Sequence, residues 1–328
     1  MRFVLRRLGF FVLTLWVALT LNFLLPRMMP GNPALAVIGS HKGGVSPQAL
    51  KALDAEFGLN THTSLLTDYW RYLGDVATGN WGVSLTTQPG NSVGRIVLDA
   101  IPWTLGLVGV TTVLAFILGT LIGIVAAWRR GGRLDSFLPP IFVIMTVIPY
   151  FWLGLVLILV FGVKLHWLPY FFSYTYTLTP GLNWTFISNV LQHAILPSFT
   201  LLVTTIGTWI LTMRNTMITT LAEDYVRMAR AKGLPGWRIM MDYAARNAIL
   251  PNLTGFAMSL GFVIGGAILI EEVFNYQGVG YLLLEAVNND DYPLMQALFL
   301  LITVAVLVAI LLSDIATAIL DPRTRGER

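Results

Sequence analysis

The groups that carry most enzyme chemistry are thin in this chain. It has no cysteine, which removes thiolate metal sites, cysteine nucleophiles and disulfides together. Its four histidines, His41, His62, His166 and His193, stand apart, without the H-x-x-x-H or H-x-x-E-H spacing that would place two ligands around a metal. No G-x-x-x-x-G-K-[ST] run occurs, so the chain lacks the loop whose amides cradle nucleotide phosphates. No catalytic residue, cofactor site or metal site is therefore assigned, and any nucleotide hydrolysis is expected on another chain.

One stretch does carry organised charge. Over 221–233, Glu223 and Asp224 come first, Arg227, Arg230 and Lys232 follow, and Gly233 stands beyond. Acids at the start, bases at the end and a glycine past the last turn suit the helix macrodipole and a left-handed C-cap, so the spacing predicts a short helix here. Beyond Pro235 a second helix is expected over about 236–247, with Pro251 opening the next apolar stretch. The whole connection, 214–250, is longer than a turn between antiparallel helices requires, and so has another task.

The elements that hold this stretch are set by lipid. Of 328 residues, 55% are apolar and 12% charged, and the mean hydropathy is +0.71, which excludes an ordinary soluble domain. A spanning helix needs about 20 apolar residues. Six stretches free of charged residues meet this, at 8–25, 101–128, 137–163, 194–213, 253–270 and 294–313. Backbone groups in lipid must pair within their own segment, so the expected fold is all-α, a polytopic bundle of six transmembrane helices.

The net charge of +4 is explained by topology rather than by nucleic acid. With both termini cytoplasmic, 15 of the 21 basic residues fall on the inside, in short segments such as Arg129, Arg130 and Arg133. The last outside loop, with Glu271, Glu272, Glu285, Asp290 and Asp291, has no base, in accord with the positive-inside rule. The first stretch resembles a leader with Ala34-Leu35-Ala36 as cleavage site, but its length and Pro26, Pro30 and Pro33 favour a retained span.

The chain thus divides into 1–26, the cytoplasmic N-terminus and first span; 27–100, an external segment; and 101–328, a five-helix core containing the loop 214–251. In the external segment two amphipathic helices are expected. One lies over 46–58; the other starts near Thr63, carries Leu65, Leu66, Tyr69, Trp70 and Leu73 on one face, and ends at Gly74 or Gly79. They either lie on the membrane or meet an external partner. The loop 164–192 is rich in aromatics, including Trp167, Tyr170, Phe172, Tyr174, Tyr176 and Trp184, which suit the bilayer interface or stacking on a sugar or apolar side chain. Prolines 139, 140 and 149 and glycines 255, 261, 265 and 266 permit kinks and close packing in the third and fifth spans.

None of the six stretches holds Lys, Arg, Asp, Glu or His, which weakens any proton- or sodium-coupled mechanism. Only neutral polar groups are available to line a pathway, with Asn22, Thr111, Thr146, Thr208 and Ser259 as candidates. An autonomous secondary transporter stays open as a distant alternative.

The run from Tyr225 to Leu234 followed by Arg246-Asn247-Ala248-Ile249-Leu250-Pro251 resembles the ATPase-coupling loop of permeases in the dipeptide/oligopeptide/nickel family of ABC importers. The general permease loop begins Glu-Ala-Ala, with glycine four residues after the second alanine. Here Arg227-Met228-Ala229 and Gly233 occupy those places, and the longer spacing to Leu250-Pro251 is similar to the peptide branch. Further matches are Pro30-Gly31-Asn32-Pro33, where the family usually has Asp for Asn32, and the runs at 79–84, 148–154, 193–197, 278–282 with 291–293, and 321–325. The resemblance implies a type I importer permease fold in a bacterial or archaeal cytoplasmic membrane. It implies a second homologous permease, two cytoplasmic ATPases holding ATP and Mg2+, and an external solute-binding protein. It assigns the coupling role to Asp224, Arg227, Ala229, Arg230, Ala231, Lys232 and Gly233. The cargo it implies is short peptides, with oligosaccharides or nickel as alternatives.

Overall fold

The computed structural model describes residues 2–28, 64–265 and 267–320. Among them the regular structure is helical, and the one strand-like pairing is an isolated bridge between Val83 and Ser92. The helix expected over 46–58 lies outside the described residues.

Helix α1 (Arg2–Met28) is followed by α2 (Leu65–Thr78), which begins where the Ser64 hydroxyl accepts from the Thr67 amide and ends at Gly79, φ 72°. Its packing differs from the expected single apolar face. Tyr69 and Tyr72 lie against Phe23 of α1, with ring centroids 5.2 and 5.6 Å away, while Leu65, Leu66 and Trp70 are exposed. The reason is polar. Each tyrosine hydroxyl finds a partner on α1, Thr20 at 2.8 Å and Asn22 at 3.1 Å, whereas the exposed trio carries no polar group except an indole N–H and is left for a membrane surface.

Helix α3 (Val93–Trp128) is 36 residues long and starts before the apolar stretch it contains, so the segment boundary at 100 falls within a helix. A π-turn, Leu105–Gly109, follows Pro102, whose missing N–H loosens the ladder there. After the turn 129–132 come α4 (Arg133–Val147) and α5 (Tyr150–Lys164), bent by 95° at Ile148–Pro149. Proline disfavours the α conformation in the residue before it, and Ile148 is extended at ψ 121°.

Helix α6 (Trp184–Leu221) is unbroken for 38 residues, capped by the Asn183 side chain on the Phe186 amide. It runs well past the apolar stretch at both ends, so the first part of the expected 214–250 connection belongs to it. Then follow α7 (Asp224–Ala231), α8 (residues 236–248, with a π-turn Ile239–Ala245), α9 (Leu250–Phe262), α10 (Ile268–Val273), α11 (Val279–Asn288) and α12 (Tyr292–Leu320).

By length and apolarity, three helices cross a membrane, those over Val93–Trp128, Trp184–Leu221 and Tyr292–Ser313, and the bent pair α4–α5 makes a fourth. The apolar part of α1, Leu8–Leu24, is shorter, and the expected fifth span is interrupted between α9 and α10.

The bundle is built on close helix contacts. The most extensive pair is α3 with α6. A Cβ at Gly119 would lie 2.6 Å from the Trp209 Cβ, and one at Gly123 2.7 Å from the Ile210 carbonyl oxygen, so this G-x-x-x-G seam lets two backbones meet where side chains would hold them apart. At the acidic end, the start of α3 joins α11 and α12 through Val93, Val97, Val279, Leu283, Leu294 and Leu298, all buried.

Candidate functional site

The predicted short helix is present as α7, eight residues rather than the thirteen-residue span read from the sequence, because α6 continues through Leu221. Its end is a Schellman motif: the Gly233 amide donates to the Arg230 carbonyl at 2.9 Å and the Leu234 amide to the Ala229 carbonyl at 3.4 Å. Gly233 has φ 71°, the left-handed conformation that motif requires. Leu234 then packs with Val226, Ala229 and Ile239, which are buried.

Two sides of α7 therefore differ. Val226 and Ala229 seat it on α8, while Asp224, Tyr225, Arg227, Met228, Arg230, Ala231 and Lys232 are exposed, as is Gly233 past its end. The Arg227–Asp224 ion pair, 3.6 Å with both side chains largely in solvent, contributes little to stability. A firmer hold comes from Trp128 at the end of α3. Its ring lies beneath the Arg230 guanidinium, 6.0 Å from the centroid, and a Cβ on Gly236 would come within 3.2 Å of it. The Asn247 side chain donates to the Tyr225 hydroxyl at 2.9 Å, tying α8 to α7. The arrangement presents a rigid ledge with an apolar underside anchored to α3, α6 and α8.

At the opposite end two buried carboxylates, counted in the sequence only as loop charges, organise the fold. Glu271 accepts from the Thr104 hydroxyl at 2.8 Å and from the Gly280 and Tyr281 amides at 2.7 and 3.1 Å. It thereby caps α11, whose own N-cap residue, Gly278, has no side chain. A Cβ on Gly278 would lie 2.4 Å from that carboxyl. Asp291 accepts from the Ser84 hydroxyl at 2.5 Å and from the amides of Leu85, Thr86 and Thr87 at 3.2, 3.3 and 3.0 Å, while its other oxygen meets the Leu294 amide in the first turn of α12. The runs 79–84 and 291–293, far apart in sequence, thus meet. A carboxylate followed by glycines at 278 and 280 was the available sign of the first of these contacts; nothing local announces the second.

The neutral candidates for a pathway are dispersed. Asn22 is buried and donates to the Tyr72 hydroxyl and the Gln296 carbonyl, and Thr111 is buried and donates to the Leu107 carbonyl of its own helix. Thr208 is exposed, Ser259 is half-buried with its hydroxyl on the Phe256 carbonyl, and the Thr146 side chain lies outside the described residues.

The chain belongs to the family of binding-protein-dependent transport system inner membrane components, whose model matches residues 119–326, with the N-terminal model of the same transport systems matching 1–108. It is 34% identical to the di/tripeptide transport system permease protein DppB of Pseudomonas aeruginosa, over 99% of both chains. It is 32% identical to the glutathione transport system permease protein GsiC of Escherichia coli K12, over 99% of both, and 31% identical to the oligopeptide transport system permease protein AppB of Bacillus subtilis, over 92% of both.

Proposed function

We propose that this chain is one of two channel-forming permease subunits of an ATP-driven importer that takes up short peptides. An external solute-binding protein delivers the peptide, and two cytoplasmic ATPases holding ATP and Mg2+ supply the work. The observation that carries this reading is α7: a capped helix whose apolar side is locked to the bundle and whose Arg227, Met228, Ala231 and Lys232 stand exposed. A cytoplasmic ATPase seated there would move the ledge, and α6 would carry that movement into the membrane.

In this reading six segments cross the membrane. The second half of the third and of the fifth follows a break, and both termini and α7 lie on the cytoplasmic side, with α2, the 165–183 loop and α11 outside. Thr208 and Ser259, which are not enclosed by the chain's own core, suit a neutral, low-affinity path better than Asn22 and Thr111, which serve the fold. Within the aromatic loop Tyr174 stacks on Trp103 at 5.5 Å, while Trp167, Tyr176 and Trp184 are exposed, so the choice of peptide over oligosaccharide rests on the names of the relatives.

The test is to purify the complex with its native partners, reconstitute it in liposomes, and titrate the binding protein loaded with di- and tripeptides, oligosaccharides or Ni2+ while following ATP hydrolysis. Stimulation by peptides alone is the expected result. Stimulation by the sugar or metal arm would replace the cargo, and uptake by the chain without ATPases would overturn the mechanism.

A further inference from the structure

Resting on that reading, we propose that Asp135 and Arg214 are positioning residues for coupling, the tie that makes α4 move as one body with the lever α6. Arg214 Nε donates to Asp135 Oδ1 at 2.5 Å, and the two side chains are only 19% and 9% exposed. The other carboxylate oxygen accepts from the Gly131 amide at 2.9 Å, so one group holds both α6 and the turn that joins α3 to α4. Asp135 sits just ahead of the apolar stretch that begins at Phe137, and Arg214 lies ten residues before Asp224, where α7 starts.

The placement matters because the other helices at this end already have their own grip on the ledge. Helix α6 leads into α7 through two residues, 222 and 223, and α3 reaches it through Trp128. Helix α4 makes no extensive contact with α7 among the described residues. It meets α6 midway, where a Cβ on Gly207 would lie 2.9 Å from the Phe142 Cβ, and again at the Asp135–Arg214 pair. Phe142 packs among Ala115 of α3 and Ile206 and Ile210 of α6, an apolar seat without direction; the charged pair adds a directional contact that fixes the angle of α4. What α4 carries is the Pro149 break and then α5, whose Gly154 packs against Phe274 beside Glu271. A fixed α4 delivers the movement of α6 to that break and on to the opposite end of the bundle. A pivoting α4 absorbs it.

Spatial continuity alone does not establish coupling, so the test must separate transmission from stability. The complex with its partner ATPases and binding protein is reconstituted, and tritiated trialanine imported per ATP hydrolysed is measured, a ratio unaffected by how much complex folds. Asp135→Asn and Arg214→Gln are each expected to lower it at least tenfold and the double variant no further, while Asp135→Glu stays within about threefold of the parent. An unchanged ratio in both single variants would reduce the pair to a structural role and overturn the proposal. Because the chain has no native cysteine, spin labels at Ser136→Cys and Thr219→Cys report the α4–α6 distance without any cargo. That distance should be the same with and without trapped nucleotide, and should shift on trapping once Asp135→Asn is added. A shift already present with Asp135 intact, or none with Asn, would sink the tie. If the parent complex does not import trialanine at all, the peptide reading fails while the label distances still decide this one.

Discussion

Gly233 holds a backbone conformation that costs an L side chain about 1–2 kcal/mol, and its amide and that of Leu234 close the last turn of α7. Open space surrounds it, so Gly233→Ala strains the cap without a clash. The expected outcome is retained ATPase stimulation with several-fold less solute moved per ATP, measured in proteoliposomes; normal coupling would remove Gly233 from the site. Ala229 fails differently. It is 2% exposed between Val226 and Ile239, so Ala229→Leu overpacks the seat by about 1–3 kcal/mol and should lower both ATPase stimulation and transport.

Helices were legible in the sequence to the extent that lipid or capping chemistry decided them. Helix α2 begins one residue past the expected Thr63, where Ser64 caps it, and ends at the second of the two expected glycines, Gly79; α7 ends where Gly233 requires, and Pro149 breaks the third stretch. What could not be read was longitudinal extent and facing. Helix α6 continues to Leu221 through residues that pattern alone assigns to a loop, and Thr216 and Thr220 are accommodated there by turning their hydroxyls onto their own preceding carbonyls. Helix α2 turns its tyrosines inward because hydroxyl partners outweigh the apolar stripe. The same limit applies to Asp291, a residue whose importance depends on backbone amides some 200 positions away. Its removal is the prediction at this scale. Asp291→Ala leaves the Ser84 hydroxyl and the amides of Leu85, Thr86, Thr87 and Leu294 without this acceptor, a loss of about 1–3 kcal/mol for each group that stays buried. Hydrogen exchange at Leu85, Thr86 and Thr87 should speed by orders of magnitude while α3–α6 amides keep their protection. Equal protection with alanine would mean that the loop is held by something else.

For the whole molecule, length and apolarity alone identify three spans and one bent pair among the twelve described helices. Charge supplies the rest of the argument. One end of the bundle gathers Arg129, Arg130, Arg133, Arg227, Arg230, Lys232, Arg238 and Arg246; the other holds Glu271, Glu272, Glu285, Asp290 and Asp291. Retaining the basic clusters on the cytoplasmic side puts α7 where ATP is, and puts the aromatic loop and α11 where a binding protein would dock. The two ends also differ in how they are held: α7 by a shallow apolar seat, the acidic end by carboxylates buried among amides, as expected if the first must move and the second must keep a shape. Topology is testable without a partner, because the chain is cysteine-free and every introduced thiol is the sole label site. Leu182, fully exposed, and Met228, 59% exposed, mark the two ends. In intact cells Leu182→Cys should react with a membrane-impermeant maleimide, and Met228→Cys only after permeabilisation. The reverse pattern would invert the molecule and take the ledge away from any cytoplasmic ATPase, and labelling of both from one side would mean that an odd number of crossings does not separate them.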